Sequence, residues 1–222
     1  MVPLFCVLKI LEKSGLFSPD CAEICAEFRV PESPPSSWIV NEGGTLGVNI
    51  PPASATWAIG RQAEFLAGRL AAKLALEKLG CAPDLAGRVG TNPGRAPVWP
   101  SGFVGSIAHS GPFVWVTVAR SDAYRSLGQD VEVRMPDSTA EKVAERIATP
   151  AELAFRRGTS MQPGEFLGLI FSAKEALYKT LNPLVDQYFD FLDATVVELD
   201  LKGESILFRL ERELNGEFAK GT

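Results

Sequence analysis

Apolar positions recur at helical steps along two long stretches of the chain. From Trp57 to Leu79, the residues Phe65, Leu66, Leu70, Leu74 and Leu79 trace a stripe, small alanines lie beside it, and Gly80 supplies the C-terminal cap. From Phe166 to Leu181, the residues Phe166, Leu169, Ile170, Leu177 and Leu181 do the same, and Asn182-Pro183 predicts the stop. Lys174, Glu175 and Lys179 interrupt this second stripe. Glu175 and Lys179 fall one turn apart on the same side, whereas Lys174 points about 100° away from Glu175. Taken alone, this is also the pattern of a Glu–Lys surface pair.

β-Branching and alternation predict strands elsewhere. Val114–Ala119 reads as one strand and Leu127–Val133 as the next. In the latter, Asp130 and Glu132 share one face and Val131 and Val133 the other, so the valines predict a buried strand with two carboxylates roughly 7 Å apart. Water would satisfy the carboxylates if the strand were exposed. Asp193–Glu211 reads as a hairpin, with Thr195, Val197, Leu199 and Leu201 alternating before Lys202-Gly203-Glu204, and Ile206, Phe208 and Leu210 after it. Ser138–Ala148 predicts an amphipathic helix whose Ser138 N-cap and Glu141 form a capping box, and Pro150–Arg157 a second, short helix. The first 50 residues suggest irregular structure and edge strands, with a turn at Asn41-Glu-Gly-Gly44. Pro83–Pro100 reads as loop, and the end after Asn215 is expected to fray. In Gly102–Gly111, glycines and serines surround the single histidine, His109. That composition suits a loop whose backbone approaches a phosphate, although a lone histidine is as readily structural.

Length and charge narrow the classes. A chain of 222 residues with net charge −5 can bury one good core or two small ones and is not the default nucleic-acid binder. No apolar run reaches the length of a membrane span, and the apolar Met1–Ile10 lacks the basic flank and cleavage site of a signal peptide. Cys6, Cys21, Cys25 and Cys81 are scattered, which suggests reduced thiols in a cytoplasmic protein. A zinc site at Cys21 and Cys25 would need further ligands.

Arg61 and Arg69 lie within about 80° of each other and roughly 12 Å apart along their helix. Two guanidinium groups so placed suit two phosphates of one ligand, or are simply solvated. With Asp130, Glu132 and Glu175 as hard oxygen donors, and His109, Lys174 and Lys179 as further cationic groups, the set suits Mg²⁺ bridging a pyrophosphate.

The order of these pieces resembles the 4′-phosphopantetheinyl transferases of the enterobactin-synthase component D type. The motifs are Arg61-x-x-Glu-Phe-x-x-x-Arg69 with Ala71–Gly80, Arg95-Ala-Pro-Val-Trp-Pro100, Gly105-Ser-Ile-Ala-His109, Gly128-x-Asp130-x-Glu132 and Phe171-Ser-Ala-Lys-Glu-Ala-Leu-Tyr-Lys179. Each is weak alone; all five in order are specific. The resemblance implies an α+β fold, one domain over residues 1–222 built as a pseudo-dimer of two similar helix-plus-antiparallel-sheet halves dividing near 115. It implies transfer of the phosphopantetheine arm of coenzyme A to a serine of an apo acyl or peptidyl carrier protein by a monomeric, Mg²⁺-dependent enzyme. Adenosine 3′,5′-bisphosphate would be the other product.

By position, Asp130, Glu132 and Glu175 resemble the metal ligands. The resemblance also implies that Glu175 is the base for the serine proton, directly or through water, and that Lys179 neutralises or protonates the leaving phosphate. Arg61, Arg69, Arg95 and His109 resemble coenzyme A contacts, and Lys174 a pyrophosphate contact. Two positions depart from the pattern. Gln129 stands where an apolar residue is usual and needs a hydrogen-bond partner if buried. Ala108 replaces a Ser or Thr, removing a hydroxyl contact. A non-catalytic coenzyme A or carrier-binding module and a different Mg²⁺-dependent nucleotide enzyme, such as a pyrophosphohydrolase, are the competing readings. Arg146, Arg156 and Arg157 form a candidate basic patch for an acidic carrier. Siderophore, polyketide, peptide and fatty-acid carriers all fit these residues.

Overall fold

Every second residue of Cys21–Glu27 is buried, the mark of a strand with one face on a core. In the computed structural model, which describes residues 9–10 and 20–222, Ala22, Ile24 and Ala26 form that face. Cys6 and most of the apolar N-terminal segment lie outside the described residues. The chain is α+β and divides into two compact units, Met1–Val131 and Glu132–Thr222. A division near 115 would cut a paired strand, so the boundary lies further along.

The first unit runs β1 (Lys9–Ile10), β2 (Cys21–Glu27), α1 (Trp38–Leu46), α2 (Ile59–Lys78), α3 (Pro83–Ala86), β3 (Gly90–Thr91), β4 (Pro97–Val98), β5 (Phe103–Ser110) and β6 (Phe113–Arg120). Its main sheet has the order β1-β2-β6-β5 and is antiparallel throughout; β3 and β4 pair separately. The predicted long helix is present as α2, and its buried Ala63, Leu66, Ala67, Ala71, Ala72, Ala75 and Leu76 pack against Ile24, Val114, Val116 and Val118 of the sheet.

Two readings of this unit are corrected. Asn41–Gly44 is helix, because Trp38 and Ile39 bury one face of α1 and Gly43 lets Ile50 approach: a Cβ there would lie 2.1 Å from Ile50 Cγ1. The glycine- and serine-rich segment around His109 is strand β5, and Gly105 admits the Trp99 ring and the Thr117 carbonyl. Cys21 and Cys25 share the less buried face of β2; both are free, as is Cys81, and burial pushes all three thiols up.

The second unit runs α4 (Asp137–Ile147), α5 (Pro150–Ala154), α6 (Pro163–Val185), β7 (Ala194–Asp200) and β8 (Ser205–Leu210). Phe166, Leu167 and Ile170 of α6, Ala140 and Ile147 of α4, and Val196 of β7 form its core. Helix α6 runs through Asn182-Pro183 to Val185 and ends at Asp186, whose φ is 51°. The capping box falls at Thr149 and Glu152, at the start of α5; α4 begins after Pro136, whose side chain has no acceptor to cap with, and Asp137 Oδ1 accepts from Gly164 N at 2.8 Å. In β7, Ala194 and Val196 are buried, out of phase with the alternation expected from Thr195 and Val197; a register shift between Val196 and Glu198 then changes the phase, so that Leu199 also packs toward the core. The C-terminal residues fold back: Leu210 N donates to Thr222 O at 2.8 Å and Gly221 N to Leu210 O at 2.8 Å.

The segment between β6 and α4 is not a strand. Residues 126–136 carry no regular secondary structure, Glu132 and Val133 are exposed, and only Gln129 is buried. Its side chain replaces ladder pairing. Gln129 Nε2 donates to Trp115 O at 2.6 Å, Gln129 Oε1 accepts from Thr117 Oγ1, and Gln129 N donates to Ser106 Oγ at 3.1 Å. The departure from an apolar residue is thus what pins the segment next to Asp130. Gln129→Leu should lower the unfolding free energy by about 1–3 kcal/mol, because Thr117 and the Trp115 carbonyl lose their buried partner. Denaturant unfolding reads this, and unchanged stability would show that the amide does not hold the segment.

Candidate functional site

Helix α2, strand β5 and the β3–β4 turn place four of the expected ligand contacts around one cleft in the first unit. Gly68 of α2 leaves room for Ile107 of β5, since a Cβ there would lie 3.1 Å from Ile107 Cγ2. Alternation then puts His109 on the same face of the strand as Ile107. The cleft, about 560 Å³, is lined by Arg61, Arg69, Arg95 and His109, together with Trp57, Glu64, Phe65 and Thr91. Ala108, 1% exposed, alternates to the other face of the strand, so its missing hydroxyl is not missing from this cleft.

The four basic groups are held differently. Arg61 is exposed; its Nη1 lies 3.2 Å from His109 Nε2 and 3.3 Å from Glu64 Oε2, while His109 Nδ1 is 3.9 Å from the same carboxylate oxygen. Since a guanidinium only donates, the contact suits a neutral imidazole accepting at Nε2. Arg69 is 6% exposed, with Nη2 donating to Gly90 O at 2.9 Å and Thr91 Oγ1 at 2.8 Å, and its guanidinium lies 4.5 Å from the Phe65 ring centroid. Its Nε has no hydrogen-bond partner among the described residues. Burial, followed by the neighbouring Arg61 charge, pulls its pKa down to about 10, so it remains cationic at neutral pH. Arg95 sits in the β3–β4 turn with φ at 69°, and its backbone N donates to Asn92 O at 2.9 Å. Three guanidinium groups therefore share the cleft with one carboxylate, Glu64. An anion with more than one phosphate answers that imbalance.

In the second unit, Glu175 and Lys179 are half-buried on α6, and Glu175 lines a cavity of about 130 Å³ with Lys174, Tyr178, Tyr188 and Asp190. Lys174 precedes Glu175 on α6. It is 3% exposed, and its Nζ donates to Glu152 Oε1 at 2.7 Å, Ile147 O at 2.9 Å and Phe191 O at 2.9 Å. An ammonium has three protons, and all three are engaged inside the unit, so the pyrophosphate contact that the resemblance implies would need Lys174 to exchange one of these partners. Burial lowers its pKa, opposed by the Glu152 carboxylate. Glu152, which the motifs did not single out, is fully buried; a Thr-x-x-Glu pattern in the sequence was its only signal.

Asp130 lies at the end of the first unit, and Glu132 and Glu175 in the second. Among the described residues, no three His, Cys, Asp or Glu side chains are gathered to hold a metal ion. No helix among them is long and apolar enough to cross a membrane. A further groove in the second unit, about 400 Å³, has Ala140, Ala144, Leu153, Phe166 and Leu167 along it and the exposed Arg156 and Arg157 at its edge.

Comparison with known proteins decides the family. Residues 54–119 match the 4′-phosphopantetheinyl transferase N-terminal domain, and residues 126–219 match the 4′-phosphopantetheinyl transferase superfamily. The chain is 32% identical over 156 residues to enterobactin synthase component D of Escherichia coli, a match covering 69% of each protein. The chain belongs to the 4′-phosphopantetheinyl transferase superfamily. It is also 37% identical over 146 residues to 4′-phosphopantetheinyl transferase PptT of Mycobacterium tuberculosis, covering 64% of this chain and 61% of that protein. With 4′-phosphopantetheinyl transferase Npt of Nocardia iowensis the identity is 34% over 137 residues, covering 61% and 59%. The matches thus span about three fifths of the length of these last two relatives. The two matched regions follow the two units, and the cationic cleft falls in the first.

Arg95 is a direct test of the cleft, because its side chain and its backbone strain separate. Arg95→Gly should relieve the left-handed backbone and raise stability by up to about 1 kcal/mol. The same change should weaken binding of inorganic pyrophosphate several-fold. Thermal unfolding and calorimetric titration read the two effects, and unchanged pyrophosphate affinity would remove Arg95 from the site.

Proposed function

We propose that this superfamily member transfers the 4′-phosphopantetheine arm of coenzyme A to a serine hydroxyl of an apo acyl or peptidyl carrier protein, releasing adenosine 3′,5′-bisphosphate. The observation that carries the reading is the convergence of Arg61, Arg69, Arg95 and His109 on one cleft of nucleotide-bearing size. Coenzyme A carries a pyrophosphate and a 3′-phosphate, which matches a cleft with surplus guanidinium groups. Trp57 and Phe65 add apolar wall to the same cleft. The free cysteines fit work in the cytoplasm.

In this mechanism the serine oxygen attacks the phosphorus that bears the pantetheine arm, and the bond from that phosphorus to the bridging oxygen breaks. Glu175 takes the serine proton, directly or through water, since a hydroxyl is a poor nucleophile at neutral pH. Lys179, one turn along α6 from Glu175, balances charge on the departing phosphate. Arg61, Arg69 and Arg95 hold the nucleotide end, so that positioning supplies much of the rate. Asp130, Glu132 and Glu175 are the proposed Mg²⁺ ligands, hard carboxylate oxygens of the kind this ion takes. When bound, Mg²⁺ would supply neutralisation of the pyrophosphate charge. Arg146, Arg156 and Arg157, all exposed, are the proposed contacts for an acidic carrier, with the apolar groove beside the last two.

Incubation with coenzyme A, Mg²⁺ and an apo carrier protein should add one phosphopantetheine mass to the carrier. Loss of coenzyme A to water without a carrier would instead identify a hydrolase, and binding without turnover a non-catalytic module. Glu175→Gln is expected to lower kcat by about 10²-fold or more, and chelation of Mg²⁺ to stop transfer. Arg156→Glu with Arg157→Glu should raise KM for the carrier at low salt and leave KM for coenzyme A unchanged. Unchanged carrier kinetics would place docking elsewhere.

A further inference from the structure

The second unit contains a charged pair that the proposed transfer does not use. Glu152 and Lys174 have side chains 0% and 2% exposed and meet at 2.7 Å. Glu152 Oε1 also accepts from Val196 N at 2.8 Å, and Glu152 Oε2 from Thr149 N at 2.7 Å. Lys174 adds the carbonyls of Ile147 and Phe191. One pair therefore ties α6 to the end of α4, the start of α5, the 3₁₀ turn Phe191–Asp193 and strand β7. Its place on α6 is the residue immediately before Glu175.

We infer that Glu152 and Lys174 are positioning residues for Glu175 and Lys179, and that Lys174 makes no contact with substrate. The inference rests on the proposed transfer reaction. The reasoning is geometric. A helix can turn about its axis at little cost when only apolar side chains hold it, because such contacts are not directional. A buried ammonium with three fixed acceptors cannot turn without losing a hydrogen bond to each. Since Glu175 follows Lys174 by about 100°, anchoring Lys174 sets the direction in which Glu175 and, one turn on, Lys179 leave the helix. Both remain half-buried while Lys174 is enclosed. Ile170, Lys174 and Leu181 are all buried, so the lysine occupies a core position in the stripe of α6.

A cycle of Glu152→Gln, Lys174→Met and the two combined separates positioning from substrate contact. Each single change leaves one member of the pair without its partner. It should lower Tm and, assayed well below that Tm, reduce kcat by about tenfold or more while KM for coenzyme A stays within about twofold. The double variant removes both charges together and should recover most of the Tm and most of kcat. Calorimetric titration of coenzyme A into Lys174→Met reads the same point without turnover and should give a Kd within about twofold of the parent.

A Kd or KM for coenzyme A raised about tenfold in Lys174→Met, not recovered in the double variant, would put Lys174 on the substrate and overturn the inference. A lowered Tm with unchanged kcat would also overturn it, by making the pair structural only. Should a Lys174 variant not fold, Glu152→Gln alone still decides through its division between kcat and KM. Failure of the parent protein to modify any carrier would count against the proposed reaction instead, and the titration would remain readable.

Discussion

A lysine ammonium and a glutamate carboxylate meet at 2.7 Å inside the second unit, with almost none of either side chain in water. Charges removed from solvent have to be met by fixed partners, and the segments that supply those partners lose their freedom in turn. Here the partners are two carbonyls, from Ile147 and Phe191, and two backbone amides, from Thr149 and Val196. Four segments are thereby fixed to the helix carrying Glu175. A wholly apolar core could hold the helix as tightly, but it would specify its rotation less strictly.

The same constraint operates at Arg69 and Gln129 with different consequences. Arg69 is buried with two hydrogen bonds, an aromatic face and an Nε without a partner among the described residues, beside another guanidinium. That arrangement is electrostatically incomplete, and a phosphate is the kind of anion that would complete it in the proposed function. Gln129 is buried with its amide fully engaged against β5 and β6, so it acts as a fastener for the segment that leads to Asp130. Buried polar groups thus divide into those satisfied by the chain, which organise it, and those left for a ligand.

Much of this was readable in the sequence where periodicity was strong. Helix α2 and strand β6 follow directly from their apolar patterns, and so does the existence of the hairpin β7–β8, though not the phase of its first strand. Arg61, Arg69, Arg95 and His109 were named from motifs, and the fold brings all four to one cleft. Other features depended on competition that local pattern does not settle. Ser138-x-x-Glu141 and Thr149-x-x-Glu152 carry the same capping signal, and tertiary burial of Glu152 selected the second. Asp130-x-Glu132 looked like strand because of its valines, yet Gln129 supplied hydrogen bonds that made ladder pairing unnecessary. The motif reads Lys174 as a pyrophosphate contact, and the structure shows it buried on α6. Its spacing from Ile170 and Leu181 already placed it in the buried stripe, a signal that the motif obscured.

The central claim is that a nucleotide bearing several phosphates sits among the guanidinium groups of the first unit. Calorimetric titration of coenzyme A over a range of salt concentrations, with the parent protein and with Arg61→Ala/Arg95→Ala, addresses it most directly. The account predicts an affinity that falls as salt rises in the parent protein, and weaker binding with a shallower salt dependence in the double variant. The same affinity and the same salt dependence in both proteins would contradict it.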